Sequence, residues 1–348
     1  WEVIRGVLQD SWGSNKPLLS EYQVSLWAYF LGVLYHIFGF QPFIGISINM
    51  VLGSLLPINL FLITRLLLNK ELTHKGKITA MSFFTFFPSL FLWSIINSRD
   101  VCIIFLFSVF ILISFSLKKH FPLFLVLSFI ISLIIFSFRF QLLLPMLSII
   151  LLFILLKWFD AGYYMMKVFF TPVFVFLLLM LPVIFLNLDV KALLERVFLS
   201  AANIQKGHIL TGGSVYYILP PHYYDNLSNL HLSFFDYIIM FLKGWFHMLF
   251  EPLPYRIKTI LALMSYPQHV IGVFLLPFSV YGIIIATHAR RLNAFMAISF
   301  IVIIGTVIAL NSGNVGTIFR MRDMILPYLL VFSSIGIDRF FFAMNKPL

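Results

Sequence analysis

Long apolar runs without a charged side chain constrain the fold of this chain more than any other feature. Residues 122–138 and 293–310 are clear examples, and similar runs follow one another through the sequence. An α-helix needs about 20 apolar residues to cross the roughly 30 Å hydrocarbon core of a bilayer. The runs are continuous rather than alternating, which favours helices over the strands of a barrel. We therefore predict an all-α fold, a polytopic transmembrane helical bundle with about 9–10 spans.

The composition agrees with this class of protein. The chain of 348 residues is 61% hydrophobic, whereas soluble domains are about 45–50% apolar. The net charge of +11 would suggest a nucleic-acid partner if the protein were soluble. In a membrane protein, Lys and Arg residues of cytoplasmic loops explain such a charge, so we expect no nucleic-acid partner. Cys102 is the single cysteine, which excludes an intrachain disulfide.

Two long connections set the predicted domain organisation. Residues 1–42 form an extracytoplasmic loop, and residues 43–187 form an N-terminal transmembrane bundle. A second extracytoplasmic loop covers residues 188–267, and a C-terminal bundle covers residues 268–348. The predicted spans are 43–68, 78–97, 101–118, 122–138, 141–157, 166–187, 268–287, 293–310 and 324–341.

Two further apolar segments are predicted to lie in the membrane interface rather than to cross the bilayer. Residues 24–38 are expected to form a juxtamembrane helix. Residues 236–250 are short for a span and contain Lys243 and His247, so we expect an amphipathic interfacial helix there. Because the chain begins at Trp1 rather than Met, we also expect a further transmembrane helix before it.

Positive charges predict the orientation of the protein. If the nine spans alternate, the basic short loops and the basic tail all fall on one side, which should be cytoplasmic. Residues 1–42 and 188–267 then lie outside, and the protein is predicted to be a multi-pass protein of the cytoplasmic (inner) membrane with its site facing outside. The basic side chains in question are Lys70, Lys75, Lys77, Lys118, Lys119, Lys157, Lys167, Arg290, Arg291, Arg339 and Lys346.

Four arginines depart from this pattern because they lie in the short outer turns. They are Arg99, Arg139, Arg320 and Arg322. Ionisable groups near the hydrocarbon edge usually face a bundle interior or a water-filled cavity, and the guanidinium fork matches phosphate oxygens. We predict that all four line one outer cavity and bind a substrate phosphate. The structural alternative is that they are interfacial anchors that extend to the headgroups.

Two acids accompany these arginines. Asp100 is a candidate catalytic residue that would position a substrate hydroxyl or orient an arginine, with a simple salt bridge as the alternative. Asp323 is predicted to orient an arginine, because a neighbouring cation keeps a carboxylate ionised and paired.

The glycines before Arg320 and Arg322 suggest how these two side chains are delivered. Gly313 and Gly316 permit backbone conformations and close approaches that larger residues resist. We expect residues 311–319 to form a tight turn that brings both arginines to the phosphate.

A Gly-, Pro- and Tyr-rich outer loop at residues 212–226 is the candidate acceptor site or lid. Tyrosine rings suit a sugar ring or a peptide, and His and Asp side chains can transfer protons. The alternative is a packed lid over the bundle. The candidate residues are Tyr216, His222, Tyr223 and Asp225.

The nine histidines show neither HxxxH nor HExxH spacing, so the sequence predicts no metal site. We expect no cofactor, although the requirement for a divalent metal stays open. The chain contains no Walker A loop, Rossmann glycine fingerprint or G-x-S-x-G elbow, which argues against nucleotide hydrolysis and serine-hydrolase chemistry.

Four segments together resemble the GT-C superfamily of integral membrane glycosyltransferases, especially bacterial members akin to protein mannosyltransferases and aminoarabinose transferases. Residues 21–72 resemble the family's juxtamembrane helix, the following span and a basic cytoplasmic turn. The sequence FFPSLFLWSIINSRD (86–100) resembles the outer end of the next span. The segments 243–255 and 313–337 resemble uncharacterised bacterial members of the group.

The resemblance implies an enzyme that moves a sugar from a polyprenyl phosphate or diphosphate carrier to an acceptor on the extracytoplasmic face. A lipid-exposed groove would take the carrier tail, and arginines would stabilise the leaving phosphate. An acid in the first external loop would act as general base, and we choose Asp10 over Glu2 and Glu21. In the family this acid follows the first membrane helix, and the resemblance leads us to expect that this chain begins past that helix.

Three other functions stay open at this stage. An O-antigen or exopolysaccharide polymerase also uses polyprenyl-linked sugars, many helices and outer arginines. A transporter or flippase of a lipid-linked anion would favour charges in mid-span and broken helices in two halves. A non-catalytic GT-C-like subunit is the fourth interpretation. The expected partners are a polyprenyl-linked sugar donor, membrane lipids and cell-envelope assembly proteins.

Overall fold

The computed structural model of the protein describes residues 26–116, 120–160, 190–210, 214–224, 232–256 and 260–342. The predicted span 166–187 and the candidate residues Asp10 and Asp225 lie outside these ranges. Within them the chain is helical, and the pairing of Val215 with Asn314 is an isolated antiparallel bridge rather than part of a sheet.

The α-helices of the described residues are labelled in chain order. The first seven are α1 (Leu26–Phe38), α2 (Phe43–Leu67), α3 (His74–Phe86), α4 (Pro88–Ser94), α5 (Asp100–Ser116), α6 (Phe121–Phe138) and α7 (Leu143–Asp160). The remaining six are α8 (Val190–Leu210), α9 (Phe234–Phe250), α10 (Ile260–Ala289), α11 (Arg291–Asn311), α12 (Val315–Arg322) and α13 (Leu326–Ile337). Short 3₁₀ turns at Phe140–Leu142, Pro221–Tyr224 and Pro254–Arg256 and a π-helical turn at Asp338–Phe342 complete the fold.

Four helical segments of the described chain are long and apolar enough to cross a membrane: Phe43–Leu67, Phe121–Phe138, Tyr266–Ala289 and Arg291–Asn311. A fifth span results if Val315–Arg322 and Leu326–Phe342, bent by 58° at a short break, are counted together. The prediction of an all-α, multi-pass membrane protein is therefore confirmed for the described residues. The predicted count of about 9–10 spans is higher than these residues provide.

The predicted span 78–97 is not one continuous helix. The chain leaves helical geometry at Phe87, with φ −63° and ψ 121°, and Pro88 begins the separate helix α4. Proline disfavours helical geometry in the residue before it and cannot donate a backbone hydrogen bond. The predicted single span 78–97 is therefore divided between α3 and α4.

Two other predicted spans correspond to helices of the structure, 101–118 to α5 (Asp100–Ser116) and 141–157 to α7 (Leu143–Asp160). Helix α10 begins at Ile260, so the end of the predicted outer loop 188–267 belongs to a 30-residue helix.

Helices α10 and α13 pack with their backbones unusually close. A Cβ atom added at Gly282 would collide with the carbonyl oxygen of Phe332, and one at Gly336 with that of Phe278. The hydroxyls of Ser279 and Ser333 lie 2.6 Å apart across the same interface. Small residues that permit close approach and hydroxyls that bond across helices are typical of membrane interfaces.

The two predicted groups of charges lie at opposite ends of α2. Near Leu67, Asn293 donates to the carbonyl of Leu66 at 2.7 Å, and Arg339 donates to that of Lys70 at 3.2 Å. The basic residues beside α3, α11 and the end of α13 therefore share one end of the bundle. The turn at residues 95–99 lies at the other end of α2, which at 25 residues is about 37 Å long.

Candidate functional site

The turn between α4 and α5 is held by a buried asparagine. The side-chain amide of Asn49 donates to the carbonyl oxygens of Ile96 at 2.6 Å and Ser98 at 2.8 Å. Gly45 leaves room for Asn97, whose side chain a Cβ at this position would contact at 2.5 Å. These contacts fix the turn that begins α5 at Asp100.

Asp100 is fully buried and forms the centre of a charged cluster. One carboxylate oxygen accepts from Arg139 Nη2 at 2.8 Å, and the other accepts from Arg320 Nε and from the Ser98 hydroxyl at 2.8 Å. Arg320 also donates to the Ser98 hydroxyl at 3.3 Å. Residues from three separate segments, α5, the end of α6 and α12, thus meet at one carboxylate.

Arg99 lies beside this pair and adds a third guanidinium. Its Nη1 donates to the carbonyl oxygen of Phe138 at 2.9 Å. Burial lowers the pKa of Arg99, and the positive charge of Arg139 lowers it further. Three arginines therefore surround one carboxylate, and positive charge is in excess. We call Arg99, Asp100, Arg139 and Arg320 the Asp100 cluster.

Arg322 does not join the Asp100 cluster. Its side chain is buried, and Nη1 donates to the carbonyl oxygen of Glu251 at 3.0 Å and contacts Nδ1 of His269 at 3.1 Å. Helical residues two positions apart point about 200° from each other, so Arg320 and Arg322 extend from opposite sides of α12. The prediction that all four arginines line one cavity does not match this geometry.

Arg322 instead lies at a narrow apolar groove, with a cavity volume of about 30 Å³, between α10, α13 and their neighbours. Its walls are mainly aliphatic, and Gln268, His269 and Arg322 supply most of the polar atoms. Arg322 Nε and Gln268 Nε2 are buried and have no hydrogen-bond partner among the described residues. Such unpartnered donors are costly in a membrane interior, which favours a ligand with acceptor oxygens here. We call this the α10–α13 groove.

Asp323 is also fully buried, but it is not paired with either arginine by a direct contact. Its oxygens accept from the Ser89 hydroxyl at 2.9 Å and from the indole N–H of Trp93. The guanidinium of Arg320 in turn lies over the Trp93 ring, with its carbon 5.7 Å from the ring centre. Asp323 therefore reaches Arg320 only through Trp93, and its predicted role of orienting an arginine stays a prediction.

Trp93, Gln268 and His269 are not among the site residues predicted from the sequence. Gln268 and His269 could have been found as two successive polar residues within the apolar helix α10, because polar groups inside a membrane segment are often functional. The role of Trp93 depends on contacts with α12, more than 220 positions away, and no local pattern encodes them.

The predicted acceptor loop lies against the same end of the bundle. Tyr216 is buried and stacks on His247 at 4.3 Å between ring centres, and His247 bonds to the buried Glu251 at 2.9 Å. His222 is exposed and Tyr223 packs edge-on against it. Tyr216 thus belongs to the packed lid, Tyr223 is half-buried against the core, and His222 is exposed.

The expected turn at residues 311–319 is shorter than predicted. Only residues 312–314 interrupt the helices, and α12 begins at Val315 with Asn314 as its N-cap. A Cβ at Gly313 would lie 2.8 Å from the carbonyl oxygen of Gln205, so this glycine permits close packing against α8. The two arginines are presented by a helix, and this explains why they diverge.

In the described part of the chain, no group of three or more His, Cys, Asp or Glu residues is placed to hold a metal ion. No protein-family model matches the sequence, and searches of curated proteins and of solved structures give no match either.

Proposed function

We propose that the protein is a membrane glycosyltransferase that takes its sugar from a polyprenyl-phosphate-type carrier. The observation that carries this proposal is the α10–α13 groove, which combines aliphatic walls with the buried, incompletely paired Arg322. A lipid-linked phosphate needs such a combination, because its chain must lie among apolar side chains while its oxygens require donors.

The chemistry follows from the charge that develops on the carrier. When the bond between the sugar and the phosphate breaks, negative charge grows on the phosphate oxygens. A fixed guanidinium in a dry site stabilises this charge more than water would. Arg322 is the residue proposed for this role, with Gln268 as a second donor.

Asp100 is proposed to position arginines and not to accept a proton. Both of its oxygens already accept hydrogen bonds, from Arg139, Arg320 and Ser98. The role of general base stays with Asp10, whose assignment rests on the family resemblance.

The test is transfer of a labelled hexose from a polyprenyl phosphate by the purified protein in liposomes. Arg322→Lys keeps the charge but loses the planar fork. The activation barrier should therefore rise by roughly 3 kcal/mol, which lowers turnover on the order of a hundredfold. Arg65→Lys is the matched control, because Arg65 is exposed and pairs with Glu71 at the opposite end of α2. Normal turnover by Arg322→Lys would contradict the assignment.

A second candidate function, movement of a lipid-linked anion across the membrane, is favoured by one observation. Helices break at Phe87 and again between α12 and α13, and the two breaks are in contact through Ser89 and Asp323. Paired broken helices are typical of transporters. Movement of labelled lipid between leaflets without any sugar transfer would favour this alternative.

A further inference from the structure

The two sides of α12 offer different environments to an anion. Arg322 faces the α10–α13 groove, where hydrocarbon can lie beside it. Arg320 faces the Asp100 cluster, and none of Arg99, Arg139 and Arg320 lines that groove. A single phosphate therefore cannot use both arginines, and the second one is left without a role in binding the carrier.

The Asp100 cluster has the capacity for a second anion. It contains three guanidiniums and one carboxylate, so two positive charges remain unbalanced within it. The Arg320 side chain is 43% exposed, which leaves part of its fork open to solvent. The Arg139 side chain is only 10% exposed, and its buried Nε has no hydrogen-bond partner among the described residues. An exposed guanidinium, that of Arg320, thus lies beside a fixed carboxylate, and Arg139 adds a buried donor without a partner among the described residues.

The neighbours of Arg320 hold it in place for such a contact. Asp100 accepts from its Nε, and the Trp93 ring lies 5.7 Å from its guanidinium carbon. Trp93 is itself fixed by Asp323. A guanidinium held from two sides loses little conformational freedom when it binds an oxyanion, and it can use its fork for two parallel hydrogen bonds.

We propose that the Asp100 cluster binds an anionic group of the acceptor, a phosphate or carboxylate carried by an acceptor sugar. The identification of this ligand as the acceptor rests on the proposed glycosyltransferase function. The presence of a second anion site, separate from the groove, does not depend on it.

The test uses two soluble anionic sugars and one single-chain lipid with the purified protein in neutral detergent. Glucose 6-phosphate and glucuronate are the soluble probes, glucose is the neutral control, and decyl phosphate probes the groove. Binding is followed by tryptophan fluorescence, and Trp93→Phe identifies the part of the change that arises beside Arg320. Arg320→Gln and Arg322→Gln are the matched pair, with Arg320→Lys as a second variant that retains charge; melting temperatures check that each variant is folded.

We expect at least one soluble anion to bind, and its dissociation constant to rise about tenfold or more in Arg320→Gln, as for loss of a charge-assisted hydrogen bond. Arg322→Gln should leave that constant within about twofold and weaken decyl phosphate instead. A preference for glucose 6-phosphate would identify the acceptor group as a phosphate, and a preference for glucuronate as a carboxylate. The proposal is overturned if neither anion binds better than glucose, or if Arg320→Gln binds as tightly as the unmodified protein. If the unmodified protein binds a soluble anion as expected but does not bind decyl phosphate, the result counts against the proposed function and not against this site.

Discussion

At the scale of single residues, the neighbours of each arginine decide what it can do. Arg139 and Arg320 are largely engaged by one carboxylate, whereas Arg322 is held by a backbone carbonyl and a histidine ring. Arg139 and Arg320 are positioned by an acid that they share, whereas Arg322 contacts neutral acceptors and interacts with the adjacent Asp323 carboxylate only through its charge. This difference assigns separate roles to residues of one type.

The buried carboxylate of Asp323 provides a prediction at this scale. Asp323→Ala leaves the hydroxyl of Ser89 and the indole N–H of Trp93 without their acceptor. The free energy of unfolding should fall by about 1–3 kcal/mol, because unpaired buried donors are unfavourable. Reversible unfolding in mixed detergent micelles measures this change.

Glu71→Ala is the control for that measurement, because Glu71 is exposed and its ion pairs with Arg65 and Lys77 lie at the surface. Exposed pairs contribute little, so this variant should unfold like the unmodified protein. Equal stability of Asp323→Ala and Glu71→Ala would show that the Ser89–Asp323–Trp93 contacts do not stabilise the fold.

At the scale of elements, the contact between α10 and α13 is the one on which the groove depends. Gly282→Val should prevent the present packing, since even the first side-chain carbon would overlap the Phe332 carbonyl. The melting temperature in detergent should fall sharply, or folded protein should not be recovered. Gly272→Ala on the same helix is the matched control, because a Cβ there meets no atom within 4 Å. A Gly282→Val protein as stable as Gly272→Ala would mean that the two helices are not packed as described.

Sequence periodicity predicted most elements well, because uninterrupted apolar runs leave few alternatives to a helix. The failures have local causes. Pro88 ends α3 through its effect on Phe87, and Asn314 caps α12 where a longer turn had been expected. Both are capping and proline effects that act on one or two residues and leave the hydrophobic pattern unchanged.

The site was only partly predictable for a different reason. The excess of arginine in the short outer turns identified Arg99, Arg139 and Arg320 and their proximity to Asp100. The same excess could not show that Arg322 faces away from these three arginines. The expected turn would have allowed Arg320 and Arg322 to point the same way, whereas a helix makes them diverge. Whether these residues bind a phosphate stays a prediction.

At the scale of the whole molecule, the separation of the two charged ends predicts the orientation in the membrane. We expect Lys75 to be cytoplasmic and His222 to be outside, because the basic residues collect at the end that contains Lys75. Single cysteines at these positions, in a Cys102→Ala background, can be labelled in intact cells with an impermeant thiol reagent. Labelling should occur at position 222 and not at position 75. The reverse pattern would place the Asp100 cluster and Arg322 on the cytoplasmic side.

The central claim is that a polyprenyl phosphate lies in the α10–α13 groove with its phosphate at Arg322. Photocrosslinking tests it most directly, with benzoylphenylalanine in place of Val273, which lines the groove, or of Phe274, which is 69% exposed on the outside of the same helix. Radiolabelled polyprenyl phosphate should crosslink at position 273, be displaced there by unlabelled carrier, and lose most of this labelling in Arg322→Gln. Labelling at position 274 should not respond to either change. The claim is contradicted if positions 273 and 274 are labelled equally and neither unlabelled carrier nor Arg322→Gln reduces the labelling.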